Sequence, residues 1–123
     1  ALGLRPDKDD AKLLLASLYL QDHQTKKAKN LLLELVSDAP NLALAHFYLG
    51  RAQEELGQLK QATQSFQRAR DLSKSFSAAY FALGRVLAKR QKYGHAARAY
   101  QSLLFKNPNS VAAHDQMGRI SRR

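Results

Sequence analysis

The sequence predicts an all-α solenoid built from antiparallel helix pairs. Three observations point to it. The chain matches itself when shifted by 34 residues: Gly50 falls on Gly84 and Gly118, Ala62 on Ala28 and Ala96, and Phe66 on Leu32 and Tyr100. A self-match at such a period marks a helical repeat array. Within the middle unit, Phe47, Leu49, Gly50 and Gln53, then Ala62, Phe66 and Ala69, recur at the three-and-four spacing of a helix face. Punctuation follows the same period. Pro6, Pro40 and Pro108 lie whole periods apart, with Lys74 in the remaining place. Leu56-Gly57-Gln58-Leu59 reads as a tight turn in which glycine supplies a positive φ.

The units follow in order. Residues 1–6 read as the tail of a preceding repeat, 7–40, 41–74 and 75–108 as three full repeats, and 109–123 as the first helix of a partial fourth. The first helix is expected from Asp7 or Asp9 to Leu20, with Asp7, Asp9 and Asp10 suited to capping free N–H groups and opposing the helix dipole. Its partner runs from about Thr25 to Ser37 and stops before Pro40. The second pair is Leu42–Leu56 and Leu59–Ser73, and the third Ser77–Arg90 and Tyr93–Lys106, ended by Asn107-Pro108. A last helix begins near Ser110, a good N-cap residue.

Small residues at fixed places imply close helix approach. Gly50, Gly84 and Gly118, with Ala16, are expected to let the two helices of a pair meet, and Ala28, Ala62 and Ala96 to do the same on the facing helix. Phe66 and Tyr100, with Leu32, then fill the space between pairs. A lone pair cannot bury its apolar face, so the pairs must stack.

The pattern resembles the tetratricopeptide repeat family. The family reads aromatic, Leu-Gly, Tyr, Ala, aromatic, Ala, Pro. The third unit has Tyr80, Leu83-Gly84, Leu87, Ala96, Tyr100, Leu103 and Pro108; the second has His46, Leu49-Gly50, Gln53, Ala62, Phe66, Ala69 and Lys74. The first is weaker, with Lys12, Leu15-Ala16, Tyr19, Ala28, Leu32, Leu35 and Pro40. Pentatricopeptide repeats, which bind RNA, are the family most easily confused with it, but their usual period is one residue longer. The resemblance implies a right-handed superhelix whose first helices line a concave, peptide-binding groove.

Carried onto this sequence, that groove has three columns. One holds Leu13, Phe47, Phe81 and Asp115, a second Ser17, Arg51, Arg85 and Arg119, and a third Gln21, Glu55, Lys89 and Arg123. Helices that pack at roughly 8–10 Å would set the arginines as a ladder at that spacing. Arginine suits paired recognition of carboxylates, and Phe47 and Phe81 would form an apolar floor. Glu54 and Glu55 can neutralise part of the ladder. Cochaperone members of the family hold a terminal carboxylate with a Lys/Asn clamp. The matching places here are Leu13, Ser17, Tyr48, Ala78 and Ala82, so binding of that type is not expected.

Charge is unevenly spread. Residues 1–71 carry ten Lys/Arg and nine Asp/Glu, whereas 72–123 carry ten Lys/Arg against Asp115 alone. Such polarity points to an acidic partner. Lys26-Lys27-Ala28-Lys29 reads as a solvated outer face. His46 and His114 share a column with Tyr80 and read as core residues, since no second ligand follows at helical spacing; His23 and His95 read as incidental. Tyr19, Tyr80, Tyr93 and Tyr100 read as interhelical packing. There is no Cys, hence no disulfide, thiolate metal site or Cys nucleophile. No phosphate loop or nucleophile elbow appears, and no apolar run reaches the 18 residues of a membrane span. The expectation is a non-enzymatic protein–protein interaction scaffold without cofactors or membrane insertion. It takes an acidic extended peptide or partner helix in the groove and can self-associate through exposed repeat ends. Nucleic-acid binding through the basic half, or a spacer role in an assembly protein, are the alternatives. The sequence does not start with Met and reads as part of a longer cytoplasmic or periplasmic protein.

Overall fold

Helix boundaries repeat with the period of the sequence. The computed structural model describes residues 9–106. Among these, α1 (Asp9–Gln21), α3 (Ala43–Glu55) and α5 (Ser77–Lys89) alternate with α2 (Thr25–Asp38), α4 (Leu59–Leu72) and α6 (Tyr93–Lys106). Every helix starts and ends 34 residues from its counterpart in the next pair. Each helix packs on its chain neighbours, and α1 also touches α3. The result is a solenoid of antiparallel pairs. The expected helix at Ser110 lies outside the described residues.

One turn design joins the two helices of every pair. The residue after each first helix's C-cap adopts a left-handed conformation: His23 at φ 60°, Gly57 at 79° and Gln91 at 63°. At Gly57 the amide donates to the Glu54 carbonyl (3.0 Å), and the Gln58 amide reaches back to Gln53 (2.8 Å). The same two bonds recur as His23 to Leu20 and Gln24 to Tyr19, and as Gln91 to Ala88 and Lys92 to Leu87. This pairing satisfies the last carbonyls of the helix. His23 is therefore not incidental: it holds the backbone position that glycine holds one repeat later.

The small residues sit where the two helices of a pair meet, as expected. Gly50 and Gly84 make room for the aromatic ring of the facing helix of their own pair. A Cβ on Gly50 would stand 2.7 Å from the Phe66 ring, and one on Gly84 2.6 Å from the Tyr100 ring. Both rings are fully buried. In the first pair the combination is Ala16 with Leu32, also fully buried. A smaller partner there tolerates the extra methyl group. The core is accordingly a chain of clusters. One centres on Leu32, Leu35, Ala45 and Leu49 of α2 and α3. The next joins Phe66 of α4 to Leu83, Val86 and Tyr100 of α5 and α6.

Two details depart from the apolar pattern. Gln53 is buried, and its Oε1 accepts a hydrogen bond from the Ser65 hydroxyl at 2.6 Å, tying α3 to α4. His46 is only half-buried; its Nε2 donates to the Pro40 carbonyl at 2.9 Å, so it closes the interpair loop rather than filling the core. On α1, Leu14, Leu15 and Leu18 are 62%, 42% and 50% exposed. The counterparts of Leu15 and Leu18 one and two repeats on, Leu49 and Ala52 or Leu83 and Val86, are buried. No helix among the described residues is long and apolar enough to cross a membrane.

Candidate peptide-binding groove

The first helices of the second and third pairs enclose a cleft. It measures ≈ 560 Å³ and is lined by Phe47, Arg51, Glu54 and Glu55 of α3 and by Ala78, Phe81, Ala82, Arg85 and Lys89 of α5. These residues recur at three- and four-residue steps, so each helix turns one continuous stripe towards the cleft. Six of the sequence-derived positions come together here: Phe47, Arg51, Glu55, Phe81, Arg85 and Lys89. Leu13 and Ser17 do not join them. Leu13 is buried in the core cluster of α1, α2 and α3, together with Leu49 and Ala45. Ser17 turns its hydroxyl onto the Leu14 carbonyl at 2.8 Å. Asp115 and Arg119 lie outside the described residues.

The floor is aromatic and well supported. Phe47 stacks at tilted angles on Phe76 and Phe66, with ring centroids 5.0 and 5.7 Å apart. Phe81 meets Tyr100 edge-on at 5.7 Å. Both floor rings stay partly exposed while their inner edges are held.

The charges do not form an open ladder. Arg85 makes a two-pronged contact with Glu54, Nε to Oε2 at 2.9 Å and Nη2 to Oε1 at 2.6 Å. Lys89 donates to the same Oε2 at 2.7 Å. The Glu54 side chain is only 7% exposed. Burial pushes its carboxyl up, but the hydrogen bonds from Arg85 and Lys89 outweigh that, and its pKa falls below the ordinary value. The Arg85 guanidinium is raised by the same Glu54 contact. Glu55 accepts from the Thr25 hydroxyl at 2.8 Å. Arg51 is different. It is exposed, leans over the Tyr48 ring at 5.9 Å, and makes no ion pair with a described residue. The cleft therefore offers one guanidinium without an ion pair among the described residues, in the same lining as the Phe47 and Phe81 rings. Glu54 stands 31 residues before Arg85 and 35 before Lys89. That is one period displaced by a few residues, the signal that would have exposed the cluster.

One further feature lies beneath the cleft. The Tyr100 hydroxyl is buried without a hydrogen-bond partner among the described residues, and burial raises its pKa to about 12. Among the described residues, no group of His, Cys, Asp or Glu could hold a metal ion.

Comparison with known proteins decides the family. The sequence profile of the tetratricopeptide repeat matches residues 13–76. The chain belongs to the tetratricopeptide repeat family. Among solved structures, MamA matches with a TM-score of 0.90 and 24% identity, over 95% of this chain and 68% of that one. The first tetratricopeptide domain of Spaghetti, bound to the HSP90 peptide SRMEEVD, matches with a TM-score of 0.91 and 19% identity, over 99% and 97%. The Sgt2 domain from Aspergillus fumigatus matches with a TM-score of 0.89 and 20% identity, over 99% and 82%. At these identities the likeness speaks for the fold. No curated protein matches the sequence.

Proposed function

We propose that the chain is a protein–protein interaction scaffold that takes an extended acidic peptide in the concave cleft between α3 and α5. The observation that carries this reading is Arg51, an exposed guanidinium without an ion pair among the described residues, which lines the same cleft as the Phe47 and Phe81 rings. An open cation in a cleft with an aromatic floor fits a peptide with a carboxylate next to an apolar side chain. Spaghetti's bound peptide has that composition. The mode differs from a Lys/Asn clamp, since Leu13, Ser17, Tyr48, Ala78 and Ala82 occupy the clamp positions. Arg85 and Lys89 help by holding Glu54, which would otherwise repel the ligand. The setting is an aqueous compartment, cytoplasm or periplasm.

A library of acidic peptides, measured at two ionic strengths, tests the reading. Arg51→Ala is expected to slow association and flatten the salt dependence. Phe81→Ala is expected to speed dissociation. Lys26→Ala and Lys27→Ala, exposed at the start of α2, serve as controls. Sensitivity of the lysine variants, with indifference at Arg51 and Phe81, would transfer the site to another face.

A further inference from the structure

A second cleft opens between α4 and α6, and we infer that it binds a phosphorylated segment of a partner protein. Its volume is ≈ 390 Å³, and Thr63, Arg70, Arg90, Lys92, His95 and Arg98 stand around it. Leu83 and Leu87 of α5 also line it. They lie two residues on from Phe81 and Arg85, about 200° round the helix. The two clefts thus use opposite faces of α5.

The charges here are less answered than those of the concave cleft. None of the lining residues is a carboxylate. Arg70 has its own counter-ion, with Nη2 3.2 Å from Oδ1 of Asp71. Arg90 donates to the Thr63 hydroxyl at 3.3 Å, a bond to a neutral group. Lys92 and Arg98 are exposed and make no ion pair with a described residue.

The repeat supplies its own control. One period earlier, the positions of Arg70, Arg90, Lys92, His95 and Arg98 are Val36, Leu56, Gln58, Gln61 and Gln64. The helices there have the same lengths and boundaries. The scaffold therefore does not need these basic residues. The earlier cleft keeps Lys29 and Arg68 at the places of Thr63 and Ser102, and Lys29 is bonded to Gln58 at 2.9 Å. Like charges gathered at one place repel, and a compact dianion relieves that repulsion. Phosphate fits: it carries nearly two charges and three strong acceptors, and arginine forks match it. A peptide is favoured over nucleic acid because no Phe, Tyr or Trp lines the cleft to stack a base. An apolar wall at Leu83 and Leu87 suits a side-chain stem instead.

The test uses the whole chain and one peptide library made three ways, with a central phosphoserine, serine or glutamate, plus a single-stranded RNA. The variant Lys92→Gln/Arg98→Gln installs the residues already present at positions 58 and 64. Arg98→Gln alone, at an exposed position, is the milder version should the double variant fold poorly by circular dichroism. Phosphoserine peptides are expected to bind about tenfold or more tighter than their serine forms, and the variants to lose about that factor. Arg51→Ala is expected to leave this binding unchanged, which separates it from the concave cleft. No preference for phosphoserine, or preference retained in the folded variants, overturns the proposal. RNA bound more tightly than phosphopeptide, and released by the same substitutions, also overturns it.

Discussion

Gly84→Ala is expected to destabilise the chain, although alanine is the better helix former. A Cβ at this position would stand 2.6 Å from both Cε1 and Cζ of Tyr100 and 3.0 Å from Cδ1. Carbon atoms prefer about 3.5–4.0 Å, so the ring must retreat by about 1 Å. It has nowhere to go: Tyr100 is fully buried and meets Phe81 edge-on. Overpacking of this kind costs about 1–3 kcal/mol. The helix-propensity gain of alanine offsets about 1 kcal/mol of that, leaving a net loss of up to about 2 kcal/mol. Gly94 provides the contrast. It also lies in a helix, but a Cβ there meets nothing within 4 Å, so Gly94→Ala should gain about 0.5–1 kcal/mol. The same substitution then shifts the melting temperature in opposite directions. The first pair suggests a rescue. Gly84→Ala/Tyr100→Leu recreates the Ala16–Leu32 combination, which is buried without a glycine. In a double-mutant cycle followed by circular dichroism, the double variant should be less destabilised than the sum of the singles by about 1 kcal/mol. Coupling within about 0.5 kcal/mol of zero, or a rise in melting temperature for Gly84→Ala, would refute the close contact.

Three other outcomes follow from the same structure. Tyr100→Phe, which copies Phe66, removes a buried hydroxyl with no described partner and should stabilise by about 1 kcal/mol in urea unfolding; a loss would mean the hydroxyl is bonded. Ser65→Ala should cost about 1–3 kcal/mol by stranding the buried Gln53, whereas Gln53→Leu/Ser65→Ala, which copies Leu87 and Ala99, should be nearly neutral. Acid should weaken the fold in two steps. Burial holds the His46 imidazole below its ordinary 6.5, despite the Pro40 hydrogen bond, so the unfolded chain takes up that proton more readily and stability declines as pH falls through the range below 6.5. Glu54, held below its ordinary 4.5, adds a second decline below that value. His46→Gln should remove the upper step and Glu54→Gln the lower, read from melting temperature against pH.

Much of the fold was legible because the period and the turns agree. Gly57 marked one pair's turn, and shifting it by the period would have marked His23 and Gln91, whose side chains give no sign of a positive φ. Helix limits came within about a turn because Pro40 and the loops before Leu42 and Ser77 interrupt the pattern at fixed intervals. The packing of Phe66 was half visible: it does share a cluster with Leu83 and Val86 of the next pair, but spacing did not say that its ring also covers Gly50 within its own pair. The cleft's columns were legible from Phe47 to Lys89. Leu13 was not, since periodicity places a residue on a face but does not say whether it ends as floor or as core. The Glu54 cluster was only half visible: a carboxylate beside the ladder was plain in the sequence, but its grip on two cations depends on side-chain reach across two helices.

That grip decides what the excess positive charge of the second half can do. In the concave cleft, Arg51, Arg85 and Lys89 face Glu54 and Glu55, so the surplus is a single charge. Across α5, four Lys/Arg line the other cleft without a carboxylate among its lining residues. The two sites should therefore answer salt differently, because screening acts on exposed, unpaired charge. Binding in the concave cleft should lose only modest affinity between low and physiological ionic strength, the part carried by its one open cation. Binding between α4 and α6 should fall steeply over the same range. Glu54→Gln changes the first slope alone: it frees Arg85 and Lys89, raises the cleft's surplus by one charge, and should make peptide binding there tighter and more salt-sensitive. If Glu54→Gln instead leaves the slope of the α3–α5 site unchanged, Glu54 is not what neutralises Arg85 and Lys89 in solution, and the assignment of Arg51 as the open cation loses its basis.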